Sequence, residues 1–479
     1  MATRSTTKTA RKPRQSSKAT VEKKTANDGP PAFLARLNAE KPRRARVAFE
    51  RRVPFGQGSI DHYTLGNGLR VFLVEDHAAP VVSFHTWYRV GSRHEVKGKT
   101  GLAHLFEHLM FNETKSLPAG MFDRKLESAG AHTNAATYTD WTYYHDDAPS
   151  SQIPLVIRLE ADRMQNLILR EPQVRSEKEV VANERRYRVE DDVDGAVNEL
   201  LWKLAFDVHP YHHPTIGWME DILAFTTGDC RAFYKTFYSP NNATVVVVGD
   251  FSSAKVLSMI QKDYGSIAPQ KIPVEKLPPE PTQKREKRTV IEKPTPTGKV
   301  AIGYRGPALG EADHVALSVL SEALFGGRSA RLYRDLVTQR ELAIDVSGSV
   351  SSFAHPGLYE VYGTAREGVS AEQLLRAIDD GLAEVKTRPV TEDERERAIA
   401  RMELSFVQSL ETVGGRAEQI GFYDSVLGDP AGAMTRLEAM RQATTADLAR
   451  VAKQYLDDKQ RTVIVVNPNE SARTDEAAE

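Results

Sequence analysis

Two stretches of this sequence, 218 residues apart, repeat each other without a gap. Residues 226–229 (TTGD) align with residues 444–447 (TTAD), and the strand-like run 244–248 (TVVVV) falls on 462–466 (TVIVV). The alternative is two unrelated segments that both end in a helix, a loop and a strand. Such segments would match only at apolar positions, whereas here polar positions match as well. We therefore interpret the chain as two similar halves of about 200 residues each.

Each half mixes strand and helix patterns. β-Branched and aromatic residues predict strands at 69–75, 81–90, 131–144 and 244–249, and helical patterns cover roughly 100–112, 152–192 and 195–205. Residues 267–298 contain seven prolines and many charges, as a linker does. The prediction is an α+β fold of two homologous mixed α/β domains, each a sheet packed by helices, joined by a Pro-rich linker.

The predicted boundaries are a tail over residues 1–52, domains over 53–268 and 293–468, a linker over 269–292 and a tail over 469–479. The first tail carries a net charge of +11 and its first 28 residues are almost free of apolar side chains, so we expect it to be disordered. It has neither the apolar core of a secretory signal nor the amphipathic face of a transit peptide. We expect a cytoplasmic protein, with an organellar matrix as the alternative if this tail is a targeting signal.

The composition excludes several classes of protein. Lys and Arg number 64 against 65 Asp and Glu, so a generally basic nucleic-acid binder is not indicated. No apolar run is long enough to span a bilayer. Cys230 is the single cysteine, which excludes an intrachain disulfide and cysteine-based zinc or iron–sulfur sites.

The pentapeptide His104-Leu105-Phe106-Glu107-His108 is the most informative motif. On a helix, His104 and His108 lie on one face and can present two imidazole nitrogens to one cation. Glu107 projects to the same side, beside the open position of the metal. The flanking residues are apolar, and a buried His-His-Glu group without a cation would be costly to desolvate. The motif therefore predicts a metal site with the H-x-x-E-H arrangement.

A catalytic zinc site has three protein ligands and one water, so a third ligand should come from another helix. Glu177 and Glu184 lie seven residues apart on a strongly helical stretch and share one helix face. Either carboxylate could reach the cation, and spacing alone does not choose between them.

The sequence resembles the pitrilysin/insulinase family of zinc metallopeptidases, and within it the two-domain group that includes the mitochondrial processing peptidase. The resemblance spans about residues 56–468. The matching segments are 67–71 (NGLRV), 91–95 (GSRHE), 101–111 (GLAHLFEHLMF), 134–135 (NA), 140–144 (DWTYY), 177–184 (EKEVVANE), 209–211 (HPY) with Gly217, and 238–243 (YSPNNA).

This resemblance implies the roles of the site residues. It implies one Zn²⁺ per chain, bound by His104, His108 and Glu184. It also implies Glu107 as the general base and Glu177 as a carboxylate that orients the site. In the family, the strand that corresponds to Asn134-Ala135 pairs with an extended peptide substrate by β-augmentation.

The second half departs from the family pattern. Residues 320–324 (LSEAL), at the 216 offset from the motif, read as an ordinary apolar helix, so no zinc is expected there. The resemblance places an arginine and a tyrosine, which stabilise the oxyanion, where Val337 and Ile344 stand here. Neither side chain can donate a hydrogen bond. We therefore expect a partner: a homologous zinc-less subunit that carries the Arg/Tyr pair, or a second copy of the chain.

The function predicted from the sequence is a zinc metalloendopeptidase that acts on peptides or unfolded polypeptides. The alternatives are a peptidase that removes presequences and a non-catalytic structural subunit, because members of the family fill both roles.

Overall fold

The computed structural model describes residues 29–469, over which the chain forms two β-sheets packed by helices. The first sheet has seven strands, which are β1 (Val47–Phe55), β2 (Gly58–Leu65), β3 (Arg70–Glu75), β4 (Val81–Tyr88), β5 (His132–Thr137), β6 (Thr142–Pro149) and β7 (Ala243–Gly249). The second sheet has five strands, which are β8 (Lys287–Lys293), β9 (Lys299–Arg305), β10 (Ala343–Val350), β11 (Leu358–Ala365) and β12 (Arg461–Pro468).

The helices of the first half are α1 (Phe33–Leu37), α2 (Leu102–Leu109), α3 (Met121–Ser128), α4 (Ile153–Asn166), α5 (Glu171–Arg185), α6 (Val193–Ala205), α7 (Met219–Ala224), α8 (Thr227–Phe237) and α9 (Ser253–Tyr264). Those of the second half are α10 (Ala312–Phe325), α11 (Arg331–Tyr333), α12 (Ala371–Thr387), α13 (Glu392–Ser409), α14 (Val413–Leu427), α15 (Gly432–Gln442) and α16 (Thr445–Tyr455). Among residues 29–469, no helix combines the length and the apolar character needed to cross a bilayer.

The two sheets repeat one topology. In the first sheet the order is β3-β7-β4-β6-β5, extended at one side by the hairpin β1-β2, and in the second it is β8-β12-β9-β11-β10. The first pair of each series is parallel, and the remaining pairs are antiparallel. The predicted fold class of two homologous α+β domains is confirmed.

The polar matches of the repeat are helix caps. The Thr226 hydroxyl accepts a hydrogen bond from the backbone N–H of Asp229 (3.1 Å) at the start of α8. Thr444 and Asp447 make the same contact (3.2 Å) at the start of α16. In each pair the aspartate reaches back to the backbone N–H of the threonine, which completes a capping box. The sequence repeat therefore preserves helix starts as well as the buried strands.

Each half covers one face of the other half's sheet with a helix. Helix α14 packs on the first sheet, where Ala417 and Ile420 join a buried cluster with Trp87 and Val246. Helix α6 packs on the second sheet in the same way, and its Leu201 is fully buried there. This exchange of helices buries apolar surface between the halves and fixes their relative position.

The predicted N-terminal tail was too long. Residues 1–28 lie outside the described residues, but Phe33–Leu37 form α1 and β1 begins at Val47. The Asn38 side chain explains the order of this segment, because it exchanges two hydrogen bonds with the backbone of Val47 (2.7 and 2.8 Å). Leu34 also enters the core of the first half. The high positive charge of the segment suggested disorder, but its apolar residue Leu34 is buried in the core.

The predicted linker was also too long. Residues 287–293 form β8, which pairs in parallel with β12 at the edge of the second sheet. Along this strand, exposed residues alternate with half-buried ones, so it lacks the apolar run that identifies a central strand. The exact domain boundaries stay a prediction, now with helix α9 before and strand β8 after a shorter connection.

Candidate metal centre

Helix α2 begins where two glycine backbones cross. Gly101 has φ +94°, and a Cβ atom there would lie 2.4 Å from the carbonyl oxygen of Ile216. Gly217 has φ +87°, and a Cβ atom there would lie 2.2 Å from the carbonyl oxygen of Thr100. Only glycine tolerates both the left-handed backbone and this close approach. The crossing holds the first turn of α2 against the loop before α7.

A buried carboxylate caps this helix. Glu95 accepts hydrogen bonds from the backbone N–H groups of Gly101 and Ala103, each at 2.7 Å. These are donors that an α-helix leaves unpaired at its first turn. Burial raises the pKa of Glu95 well above its usual range, although the two backbone donors oppose the shift. The cap fixes the helix on which both histidines of the motif stand.

Three side chains from two helices converge in an arrangement that could hold one cation. His104 and His108 stand on α2, and Glu184 stands near the end of α5. The Oε2 atom of Glu184 lies 3.6 Å from Nε2 of His104 and 3.4 Å from Nε2 of His108. One ligand atom from each residue lies within 4.8 Å of the others.

These distances fit a zinc ion. Around a tetrahedral zinc with bonds of about 2.0–2.2 Å, neighbouring ligand atoms are about 3.3 Å apart. Burial lowers the pKa of His104 to about 4, so its imidazole is neutral at pH 7 and has a lone pair to give to a metal. The donor set of two imidazoles and one carboxylate also suits zinc.

Glu177 occupies a different position from Glu184. Its Oε2 atom lies 3.7 Å from Nδ1 of His108, on the opposite side of the ring from Glu184, and its Oε1 accepts a hydrogen bond from the Asn112 amide (3.0 Å). The arrangement supports the assignment of Glu184 to the cation and of Glu177 to the orientation of His108.

Glu107 lies next to the three ligands but is not one of them. Burial raises the pKa of Glu107, and Thr137 at the end of β5 partly opposes the shift. A carboxylate in this setting takes up a proton more readily than one in water. This buried environment is compatible with the role of proton acceptor that the family resemblance implies for this residue.

Strand β5 runs past this cluster as a free edge of the first sheet. Within residues 29–469 it pairs only with β6, so its other side has no neighbouring strand and its backbone is open to one there. Asn134 is exposed, and its side-chain oxygen accepts a hydrogen bond from the backbone N–H of Ala135 (2.9 Å). The strand offers the backbone pattern that an extended peptide can join.

Two contacts of the centre were missed by the sequence reasoning. Arg188 forms an ion pair with Oε1 of Glu184 (2.9 Å), which leaves Oε2 facing the histidines. The four-residue spacing of this pair on a helix was a signal that could have revealed it. The contact of Asn112 with Glu177 has no such signal, because the two residues come from separate segments.

Val337 and Ile344 lie together in the second half. Both line an open cavity of about 820 Å³, and Ile344 is 56% exposed. Arginine and tyrosine side chains line the same cavity, namely Arg328, Tyr333, Arg334 and Arg366. Arg340 is not among the lining residues and pairs with Asp335 (3.3 Å).

The fold and the site together define a class of protein, a two-domain α+β chain with a candidate His-His-Glu metal centre in its first half. The chain belongs to the M16 peptidase family. Residues 70–217 match "Insulinase (Peptidase family M16)", and residues 224–402 match "Peptidase M16 inactive domain".

Relatives of known sequence and structure agree with this membership. The chain is 32% identical to "Zinc protease PqqE" of Helicobacter pylori over 410 residues, which are 85% of this chain and 92% of the relative. A crystal structure of a protease from Helicobacter pylori superposes with a TM-score of 0.82 at 32% identity, covering 85% of this chain and 99% of that one. The mitochondrial-processing peptidase subunit beta of Lentinula edodes is 25% identical over 83% of this chain and 87% of its own length.

Proposed function

We propose that this protein is a zinc metalloendopeptidase that hydrolyses peptides or unfolded polypeptides. The observation that carries the proposal is the convergence of His104, His108 and Glu184 from two helices, with their ligand atoms within 4.8 Å of one another. The relative from Helicobacter pylori is named a zinc protease, which supports the same chemistry here.

The roles follow from the positions of the side chains. When bound, zinc supplies Lewis-acid chemistry, which acidifies water and polarises a carbonyl group. Glu107 accepts a proton from the attacking water on its carboxylate and passes that proton to the nitrogen of the leaving amine. Glu177 holds the His108 ring in the orientation that points Nε2 at the cation.

The edge of β5 binds the substrate. A peptide that adds to this edge in extended form uses main-chain hydrogen bonds, so its affinity depends little on side-chain identity. Asn134 and Ala135 would lie in the strand that the peptide joins. A folded protein rarely offers a free extended segment, so unfolded or short substrates are favoured.

Removal of the metal tests the proposal. Dialysis against a chelator such as 1,10-phenanthroline is expected to abolish cleavage of an unstructured fluorogenic peptide, because Glu107 alone cannot polarise the carbonyl. Addition of one equivalent of Zn²⁺ per chain is expected to restore it. Activity that survives in protein shown by mass spectrometry to be free of metal would refute a zinc-dependent reaction.

A partner subunit completes the site in this proposal. The cavity at Val337 and Ile344 lacks the hydrogen-bond donors that the family pattern places at those two positions. Arg328 and Tyr333 line the same cavity but stand outside the matching register. A homologous subunit that carries the Arg/Tyr pair would supply donors for the oxyanion.

The purified chain is therefore expected to be a weak peptidase on its own. Loss of one oxyanion donor costs about 10²–10³-fold in kcat in a well-studied protease, so a homologous subunit with the Arg/Tyr pair should raise kcat by about that factor. The measurement is peptide hydrolysis by the chain alone and after mixing with the subunit. A subunit whose Arg and Tyr are replaced by Val and Ile is the matched control. Equal activity with and without the subunit would contradict the proposal.

Removal of presequences is a second candidate function. The similarity to a mitochondrial-processing peptidase subunit beta favours it. Mapping of cleavage sites in a peptide library separates the two, because a processing peptidase cuts at restricted positions and a general oligopeptidase cuts at many. The cytoplasmic location remains a prediction, since residues 1–28 lie outside the described part of the chain.

A further inference from the structure

A second group of metal-type ligands lies on the first sheet, away from α2. His85 stands on β4, and His145 and Asp147 stand on β6. One ligand atom from each residue lies within 4.8 Å of the others. The strand register creates the group, because His85 is paired directly with His145, and Ser83 with Asp147. Side chains of directly opposed residues are neighbours on one face of an antiparallel sheet.

This group is separate from the candidate metal centre. Side chains alternate along a strand, so His85 and His145 point to the face opposite that of Phe84 and Tyr144. The face of Phe84 and Tyr144 is the one that carries α2, because the Tyr144 hydroxyl donates to the backbone oxygen of Phe106 in that helix (3.1 Å). The two groups therefore lie on opposite faces of the sheet.

Candidate ligand atoms on two of the three residues lack hydrogen-bond partners within residues 29–469. His85 is 2% exposed, and within residues 29–469 neither of its ring nitrogens has a hydrogen-bond partner. One carboxylate oxygen of Asp147 is also buried without a partner in that part of the chain. Buried polar atoms are rarely left unsatisfied in native proteins, so a missing group is indicated.

A simple histidine–aspartate pair does not account for the arrangement. Nδ1 of His145 lies 3.8 Å from Oδ2 of Asp147, which is too long for a hydrogen bond. The ring of Tyr143 stacks on both histidines, at centroid distances of 5.5 and 5.6 Å, but stacking leaves the ring nitrogens unsatisfied. An ion at the centre of the group would bind one ring nitrogen of each histidine and one carboxylate oxygen of Asp147.

Helix α14 of the second half packs over the second group, on the same face of the first sheet. Gly414 leaves room for the carboxylate, since a Cβ atom there would lie 3.3 Å from Oδ1 of Asp147. Glu418 lies one turn further along α14. Burial raises the pKa of its carboxyl group, and the nearby His145 opposes that shift. A cation here would lie between the first sheet and a helix that belongs to the other half.

We propose that His85, His145 and Asp147 bind one divalent transition-metal ion of the zinc class, which stabilises the packing of α14 on the first sheet. Two imidazoles and a carboxylate are ligands that Zn²⁺ accepts, with water or a further carboxylate completing the shell. The expected metal content rises from one ion to two per chain. This proposal does not depend on catalysis at His104 and His108.

The test isolates the second group by removing the first. In the variant with His104→Gln and His108→Gln, stripped of metal, titration with Zn²⁺ alone in a calorimeter is expected to show one equivalent per chain. Adding His145→Gln or Asp147→Asn is expected to remove that equivalent. His62→Gln is the matched control, because His62 is a half-buried histidine on β2 whose ring nitrogens are also buried without partners but which belongs to neither metal-type group among residues 29–469. It should leave the binding unchanged.

A second measurement covers the case in which the combined variants fold poorly. Wild-type protein dialysed against micromolar Zn²⁺ is expected to hold two zinc ions per chain by mass spectrometry, and His145→Gln alone is expected to hold one. Zinc should also raise the unfolding temperature of the His104→Gln/His108→Gln variant but not that of the variant that also carries Asp147→Asn. The proposal would be overturned if the His104→Gln/His108→Gln variant bound no zinc. It would also be overturned if neither His145→Gln nor Asp147→Asn changed zinc binding.

Discussion

Replacement of Glu107 by glutamine is expected to abolish peptide hydrolysis and to leave zinc binding intact. Glutamine has nearly the same shape as glutamate, but its amide cannot accept and return a proton at neutral pH. General acid–base catalysis contributes about 10²–10⁴-fold to a rate, so kcat should fall by at least that much. Zinc should remain, because Glu107 is not part of the His-His-Glu group. The measurements are kcat on a fluorogenic peptide and zinc content by mass spectrometry.

The matched control is Glu113→Gln. Glu113 lies a few residues after α2, where Arg170 and Gln173 donate to its carboxylate at 2.8 Å each. Removal of this charge should change kcat by less than about twofold, because an exposed ion pair contributes little to stability and the residue does not touch the ligands. If Glu107→Gln retained wild-type kcat, Glu107 would not be the base, and the proton would have to go to another group.

The sequence predicted those site residues that share a single helix, because their relative positions follow from helix geometry. His104 and His108 lie one helical turn apart, so their common face follows from the period of the helix. The position of Glu107 beside His108 follows from the same helix. The third ligand comes from a separate segment, and there the spacing left Glu177 and Glu184 equivalent. The choice between them depends on how α5 crosses α2, which is a matter of tertiary packing.

The fold was predictable where burial leaves a strong pattern. The continuous apolar run of β7 and its copy in β12 identified one interior strand of each sheet and the repeat that relates the two halves. The edge strand β8 was missed because only one of its faces is half-buried, and charged residues occupy the other. The exchange of α6 and α14 between the halves could not be predicted, because an apolar helix face does not specify which sheet it will cover.

The cavity in the second half contains potential hydrogen-bond donors that the comparison of Val337 and Ile344 with the family pattern did not predict. The sequence predicted that Val337 and Ile344 stand where donors belong, and the cavity that they share also contains Arg328, Tyr333, Arg334 and Arg366. Those side chains come from positions outside the family register. Whether they are aimed at a substrate depends on what faces this cavity in an assembled protein, which is the reason for testing the chain with and without a partner.

Exchange of Glu184 for glutamine is expected to remove zinc and activity together. The carboxylate is one of the three proposed ligands, and its oxygen lies within 3.6 Å of both imidazole nitrogens. A neutral amide oxygen is a weaker ligand for a zinc ion than a carboxylate and leaves the cation with one negative charge fewer. Arg188, which pairs with Glu184, would also lose its partner and bring an uncompensated positive charge close to the site.

Glu177→Gln is the control that separates the loss of a metal ligand from the loss of a negative charge near the site. It removes the same charge from the same helix, seven residues earlier, but from a residue that contacts His108 on the side away from the cation. Partners that orient a ligand typically contribute 10–100-fold to metal affinity, so zinc affinity should weaken by about that factor and saturating zinc should recover most of the activity. Glu184→Gln should weaken binding well beyond that range and resist rescue. Equal losses in the two variants, measured by competition with a zinc chelator of known affinity, would mean that charge alone matters and that Glu184 is not a ligand.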